Sequence, residues 1–222
     1  SGININQWKW DFGDGTNLEY LQFEENIYHN YLNNGTFEVS LIIISSYSSI
    51  EVSDTIRKNV EVKERPIAGF VYDSVCSGSQ TTFIDQSISF DDPVIIWNWD
   101  FGNGSTSSVK DPTYNYITPG RYDVQLIVES SNSCKDTILN QVLVYSLPQA
   151  SFTNIVPCID QATYFEDLTI VDSISITEWN WNFGDPSSSA DTSTEQNPNY
   201  VYNRVGTYEI SLSVTDSVGC MD

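Results

Sequence analysis

Apolar and polar side chains alternate with a period of two along much of this chain. Tyr122, Val124, Leu126 and Val128 alternate with Asp123, Gln125 and Ile127, the pattern of a strand with one buried face. Trp97, Trp99 and Phe101 share a face in the same way. No segment sustains apolar spacings of three and four, and Thr, Val, Ile and Tyr dominate the periodic stretches, so the pattern argues against helix. Strands are predicted over 67–72, 80–84, 94–101, 112–116, 121–129 and 136–145, with turns rich in Gly, Asn, Asp and Ser between them. Six or seven strands in that length predict an all-β fold, a small Ig-like antiparallel sandwich.

The pattern recurs. "WKWDFGDG" begins at Trp8, "WNWDFGNG" at Trp97 and "WNWNFGDP" at Trp179. Downstream, "HNYLNNGTFEVSLII", "YNYITPGRYDVQLIV" and "YVYNRVGTYEISLSV" align without gaps from His29, Tyr114 and Tyr200, each reading as a corner followed by a strand. Three tandem domains are expected: 1–65, without opening strands; 66–147, complete; and 148–222, without its closing strand. Pro66 and Pro148 fall at the short junctions and restrict the backbone there, so an elongated, semi-rigid rod is expected. The phase of the repeats leads to the expectation that they form a segment of a longer array.

Composition narrows the partners. A net charge of -21 on a chain that is 40% apolar and 13% aromatic fits globular domains with an acidic skin. Such a field repels nucleic acid and anionic lipid headgroups. No apolar run approaches the ~18 residues of a membrane span.

The four cysteines occupy matched positions, Cys76 with Cys158 and Cys134 with Cys220, while Ser49 stands where the first repeat would carry the later one. Their presence in pairs predicts one disulfide inside each of the second and third units, Cys76 to Cys134 and Cys158 to Cys220. Such bonds imply an oxidising, extracytoplasmic location. Zinc is disfavoured, because neither pair has close ligand spacing or histidine partners.

The copies test the opening octet for chemistry. Asp11 and Asp100 correspond to Asn182, and Asp14 corresponds to Asn103 and Asp185. Asparagine is no general base and brings no negative charge to a metal, but shares with aspartate the ability to accept backbone hydrogen bonds in a turn. An Asx role therefore explains the exchange, with calcium at Asp11, Asp14 or Asp100 as the weaker alternative. Gly13, Gly102 and Gly184 fit positions that need positive φ or a close approach. Trp8, Trp10, Trp97, Trp99, Trp179 and Trp181 are expected to fill cores rather than stack sugars. His29, the single histidine, aligns with tyrosines and reads as a packing variant. Nucleophile systems based on serine or cysteine lack a partner. With 30 acids a two-carboxylate glycosidase is compatible with composition, but no copy differs in a way that builds a pocket. No catalysis and no obligate cofactor are expected.

The combination of "WDFGDG" with "Y-x-x-x-G-x-Y-x-V-x-L" at fixed spacing resembles the PKD (polycystic kidney disease) domain over almost the whole chain. The third copy departs at Asn182 and Pro186. The resemblance implies an Ig-like sandwich used as an extracellular spacer or interaction module. The cysteine pairs and following "DT" resemble the PKD arrays of large Bacteroidota surface, gliding and adhesion proteins exported by the type IX system. Asp-Ser/Thr triplets similar to the O-glycosylation acceptor of that phylum place candidate sites at Thr55, Ser74, Thr137, Ser173 and Ser217. The expected function is a non-catalytic spacer or adhesion segment at the bacterial cell surface. Its expected partners are neighbouring repeats, surface or secretion-system proteins, or glycans. The alternative is an accessory array of a secreted hydrolase or protease.

Overall fold

The structure, a computed structural model, describes residues 5–20, 26–47, 50–73, 75–155, 158–172 and 174–222, so Ser49, Ser74 and Ser173 lie outside the described residues. Every regular element among the described residues is a β-strand. The chain divides into two compact units: Ser1–Ile67 with Ser87–Ile96 and Val128–Asp136, and Ala68–Gln86 with Trp97–Ile127 and Thr137–Asp222.

In the first unit, β1 (Gln7–Asp11), β2 (Asn17–Tyr20), β3 (Gly35–Tyr47) and β4 (Ile50–Val62) form one sheet in the order β2-β1-β3-β4. β1 runs antiparallel to β3 with Trp10 opposite Leu41. β3 and β4 pair along their full length, with Val39 opposite Lys58 and Ile43 opposite Asp54. This ladder pairs one edge of β4, whose side chains are exposed up to Val62. Among the described residues of the first repeat Phe12 is the buried hydrophobic one; Trp8 and Trp10 are half-buried.

The second repeat comprises β5 (Phe70–Tyr72), β6 (Val75–Cys76), β7 (Gln80–Asp85), β8 (Val94–Asp100), β9 (Thr106–Ser107), β10 (Thr113–Asn115), β11 (Gly120–Ser130) and β12 (Lys135–Tyr145). They form two sheets, β10-β7-β5 and β6-β12-β11-β8-β9. The third repeat adds β13 (Phe152–Asn154), β14 (Ala162–Asp167), β15 (Ile176–Asn182), β16 (Thr192–Ser193), β17 (Asn199–Val201) and β18 (Ser211–Asp216), in sheets β13-β14-β17 and β16-β15-β18. Registers repeat residue for residue. Val71 faces Ile84 as Thr153 faces Glu166. Trp99 faces Ser107 as Trp181 faces Ser193. The predicted strand at 67–72 begins at Phe70, and Ile67 bridges Ile88 in the same register. The short strands β6 and β9 have no alternating run long enough to announce them.

Tryptophan joins the two sheets in the second and in the third repeat. Trp99 lies 5.1 Å from Phe70 and 5.7 Å from Phe83, ring centre to ring centre. Trp181 lies 5.1 Å from Phe152 and 5.5 Å from Phe165. Both tryptophans are 1% exposed, and each indole N–H donates at 2.9 Å to a main-chain carbonyl, of Val109 and of Glu195. A buried indole needs such a partner. The tandem Ig-like sandwich expected from the periodicity is the fold observed.

Trp181→Ala is expected to destabilise the second unit by about 3–5 kcal/mol, whereas truncating the exposed Ile95 changes stability by no more than about 0.5 kcal/mol. Chemical denaturation followed by tryptophan fluorescence measures both.

Candidate functional site

The aromatic-acidic octet forms the end of a strand and the turn that follows it. The side-chain oxygen Oδ1 of Asp11 accepts from the N–H of Gly13 at 2.9 Å, that of Asp100 from Gly102 at 2.9 Å, and that of Asn182 from Gly184 at 2.8 Å. Each glycine has positive φ, +76°, +79° and +65° in order. A Cβ on these glycines would stand 2.7, 2.7 and 2.1 Å from the carbonyl oxygens of Glu38, Asp123 and Glu209 on the facing segment. Glycine is thus required twice, for its dihedral and for the approach of a second backbone.

A second turn follows at once. Asp14 Oδ1 accepts from the Thr16 N–H at 3.0 Å and from the Thr16 hydroxyl at 2.6 Å, while His29 Nε2 lies 2.7 Å from Asp14 Oδ2. In the second repeat, Asn103 Oδ1 accepts from Ser105 N–H and its Nδ2 donates to the Tyr114 hydroxyl at 2.9 Å. In the third, Asp185 takes both Ser187 donors and the Tyr200 hydroxyl, the last at 3.0 Å. There the loop continues to Asp191 before closing on Phe183, whereas Ser105 closes on Phe101. The longer path accommodates Pro186, whose fixed φ excludes the positive angle that Gly104 adopts at the aligned position.

His29, Tyr114 and Tyr200 stack on Phe12, Phe101 and Phe183 with ring centres 4.1, 4.3 and 4.6 Å apart. The hydroxyls of Tyr31, Tyr116 and Tyr202 donate to the carbonyls of the same phenylalanines. Burial pushes the Tyr202 phenol up to about 12, and burial likewise raises that of Tyr116. The outer tryptophans Trp97 and Trp179 are half-buried, their N–H groups held by Asp85 Oδ2 at 2.9 Å and Asp167 Oδ2 at 2.8 Å. Burial opposes ionisation of Asp167, but hydrogen bonds from Thr169, Trp179 and Gln196 outweigh it and lower its pKa. These aspartates, which the sequence reading did not single out, belong to the motif as much as its own acids do.

The contacts of His29 do not make a proton relay. Asp14 and, at 3.4 Å, the Thr16 hydroxyl both approach the same ring nitrogen, Nε2. A nucleophile triad places acid and hydroxyl on opposite nitrogens. Among the described residues, no three His, Cys, Asp or Glu side chains converge in a group able to hold a metal ion. Thr55 and Ser217 are exposed, and so is Thr137 on β12. Thr55 N–H is bonded to Asp54, and Asp216 receives the N–H groups of Val218 and Cys220. The aspartates of these two triplets therefore have a local structural use.

The cysteines overturn the pairing expected from the sequence. Cys76 is bonded to Cys220, across 144 residues, and Cys134 and Cys158 are free thiols, the first half-buried and the second exposed. The bond links the opening loop of the second repeat to the last turn of the third. Matched positions in two units are equally compatible with bonds within units and bonds between them, and spacing alone does not separate the two. Closing so long a loop contributes roughly 5 kcal/mol in the chain-entropy account.

Two-sheet sandwiches in tandem, each with a buried tryptophan and an Asx-glycine corner, define a class of Ig-like repeat. The PKD domain family matches residues 1–60, 63–144 and 147–222, and the chain belongs to that family. It is 31% identical over 112 residues to the pre-pro-metalloprotease PrtV of Vibrio cholerae, a stretch covering 48% of this chain and 11% of that protein. It is 38% identical over 60 residues to collagenase ColA of Bacillus cereus, covering 27% of this chain and 6% of that one. The crystal structure of the PKD1 domain of the Vibrio cholerae metalloprotease is similar at 31% identity and a TM-score of 0.34, over 36% of this chain and 98% of that domain. The chain thus spans a small fraction of the length of these curated relatives.

Two outcomes test the corner. Gly104→Ala, where no atom lies within 4 Å of the added methyl group, is expected to cost about 1–2 kcal/mol for its left-handed φ, and Gly102→Ala distinctly more, because the Asp123 carbonyl blocks it; parallel urea titrations give the difference. The Thr16 hydroxyl first, then His29, hold the Asp14 carboxyl at about 2 against an ordinary 3.8. Because the folded value is the lower one, the stabilisation is complete above about pH 4 and is lost as pH falls towards 2. The melting temperature of Asp14→Asn should therefore lie below that of the parent chain at pH 5 and converge on it as pH approaches 2.

Proposed function

We propose that this chain is a non-catalytic, extracellular spacer array that carries a binding or catalytic element at a distance. One observation carries the reading: the polar groups of the thrice-repeated motif, which resemble a reactive site in sequence, are engaged by neighbouring main chain and side chains in every copy. The Cys76–Cys220 bond supports an oxidising location outside the cytoplasm. Among the described residues no helix is long and apolar enough to cross a membrane.

Two settings fit such an array. Similarity to segments of a metalloprotease and a collagenase favours an accessory array beside a hydrolase domain. The surface-adhesion setting, with type IX export and O-glycans, is supported by the style of the repeats and the exposed Thr55, Thr137 and Ser217. A shared sugar-binding platform finds no support in the exposed aromatics. Among the described residues Tyr28, Tyr72, Phe90 and Tyr164 are exposed, but their aligned positions hold Thr113, Asn154, Asp172 and Thr82.

Passing the 222-residue chain over immobilised collagen and over insoluble polysaccharides separates reach from substrate holding. A spacer washes through both. Retention that disappears in Tyr28→Ala, Phe90→Ala or Tyr164→Ala would establish substrate holding instead.

A further inference from the structure

The geometry points to a disulfide ladder along the array, in which the cysteine in the opening loop of each repeat bonds to the cysteine in the last turn of the next repeat. The observed bond is one rung. Cys76 is the opening-loop cysteine of the second repeat, and Cys220 is the last-turn cysteine of the third. Cys158 and Cys134 are then the open halves of the two adjoining rungs. This inference rests on the equivalence of the repeats and stands apart from the spacer reading.

The free cysteines occupy the same backbone turns as the bonded ones. The carbonyl of Cys76 accepts from Ser79 N–H at 3.1 Å, with Gly78 at φ +79°, and that of Cys158 accepts from Gln161 N–H at 3.2 Å, with Asp160 at φ +60°. In the last turns, Cys220 accepts from Asp216 at 3.0 Å beside Gly219 at φ +93°, and Cys134 accepts from Ser130 at 2.9 Å beside Ser133 at φ +62°. Ser133 and Asp160 are the non-glycine residues with positive φ among those described, and each flanks a free cysteine. The left-handed turn is retained there without glycine, despite its steric cost.

The surface beside Cys158 shows what would sit on it. At the end of the second repeat, Ser77 and Pro119 line a depression together with Gln149, Ile170 and Asp222 of the third. Their counterparts in the third repeat, Ile159 and Val205, line an open depression of about 370 Å³ with Cys158 and Arg204. Ile159 and Val205 are 54% and 86% exposed. The occupant is a further PKD repeat bearing a last-turn cysteine. A second copy of this chain docked head to tail would not close the rung, since its first repeat has Ser49 in that slot. Each closure forms one Sγ–Sγ bond and breaks two S–H bonds. The two electrons and two protons pass to the disulfide of an extracytoplasmic thiol oxidant, whose S–S bond breaks and which leaves as a dithiol.

The four cysteines fall on four tryptic peptides, separated by Lys110, Arg121, Lys135 and Arg204. The intact chain, alkylated without reduction and digested, should yield Cys76 cross-linked to Cys220, with Cys134 and Cys158 alkylated. A Cys76–Cys134 or Cys158–Cys220 linkage overturns the ladder. Joining a second copy of residues 137–222 after Asp222, with Cys158→Ser in the added segment, supplies the missing repeat. Cys158 should then be found cross-linked to the added Cys220, leaving Cys134 as the one alkylated cysteine. If Cys158 remains alkylated while the Cys76–Cys220 bond is present, the ladder does not extend and the proposal fails.

Discussion

The approach of the motif glycine to the backbone of the facing segment is the constraint on which each repeat depends. Gly13, Gly102 and Gly184 bring the end of the tryptophan strand against Glu38, Asp123 and Glu209 so closely that no side chain fits. The Asx oxygen two residues earlier holds the turn in the left-handed form that makes this contact possible. Once it is made, the phenylalanine between them is directed inward, its carbonyl is available to a tyrosine hydroxyl, and its ring lies against His29, Tyr114 or Tyr200. The octet is thus a joint, and its acids are part of the joint.

That view accounts for what varies. Asp and Asn exchange where only an acceptor is needed, as at Asp100 and Asn182. Histidine and tyrosine exchange where a flat ring with one polar edge is needed, as at His29 and Tyr200, because both reach the same turn residue. The second turn even reverses polarity: Asn103 donates where Asp185 accepts, and Tyr114 turns its own hydrogen to Ser105 instead. A reaction would not survive such a reversal, whereas a turn does.

Much of this was legible in the sequence because alternation and repetition report on the local backbone. The strands at 80–84, 94–101 and 121–129 and the glycine joint are set by neighbours close in the chain or by copies of themselves. Asp85 and Asp167 were not legible, because their partners Trp97 and Trp179 lie on another strand and a lone acid at a strand end carries no local mark. The disulfide failed for a related reason. Two cysteines in each of two copies define positions but not partners, and the partner was chosen by how the end of one repeat meets the next rather than by proximity in sequence.

That bond also changes how the molecule would answer a pull on its ends. The 144 residues of chain separating Cys76 from Cys220 are short-circuited by one covalent link. At about 3.4 Å per extended residue, roughly 500 Å of slack stays out of reach of stretching force until the sulfur bridge is cut. Tension entering at Cys76 leaves at Cys220 without running along the chain between them, so the core of the third repeat, built from Phe152, Phe165, Trp181 and Phe183, is sheltered from shear.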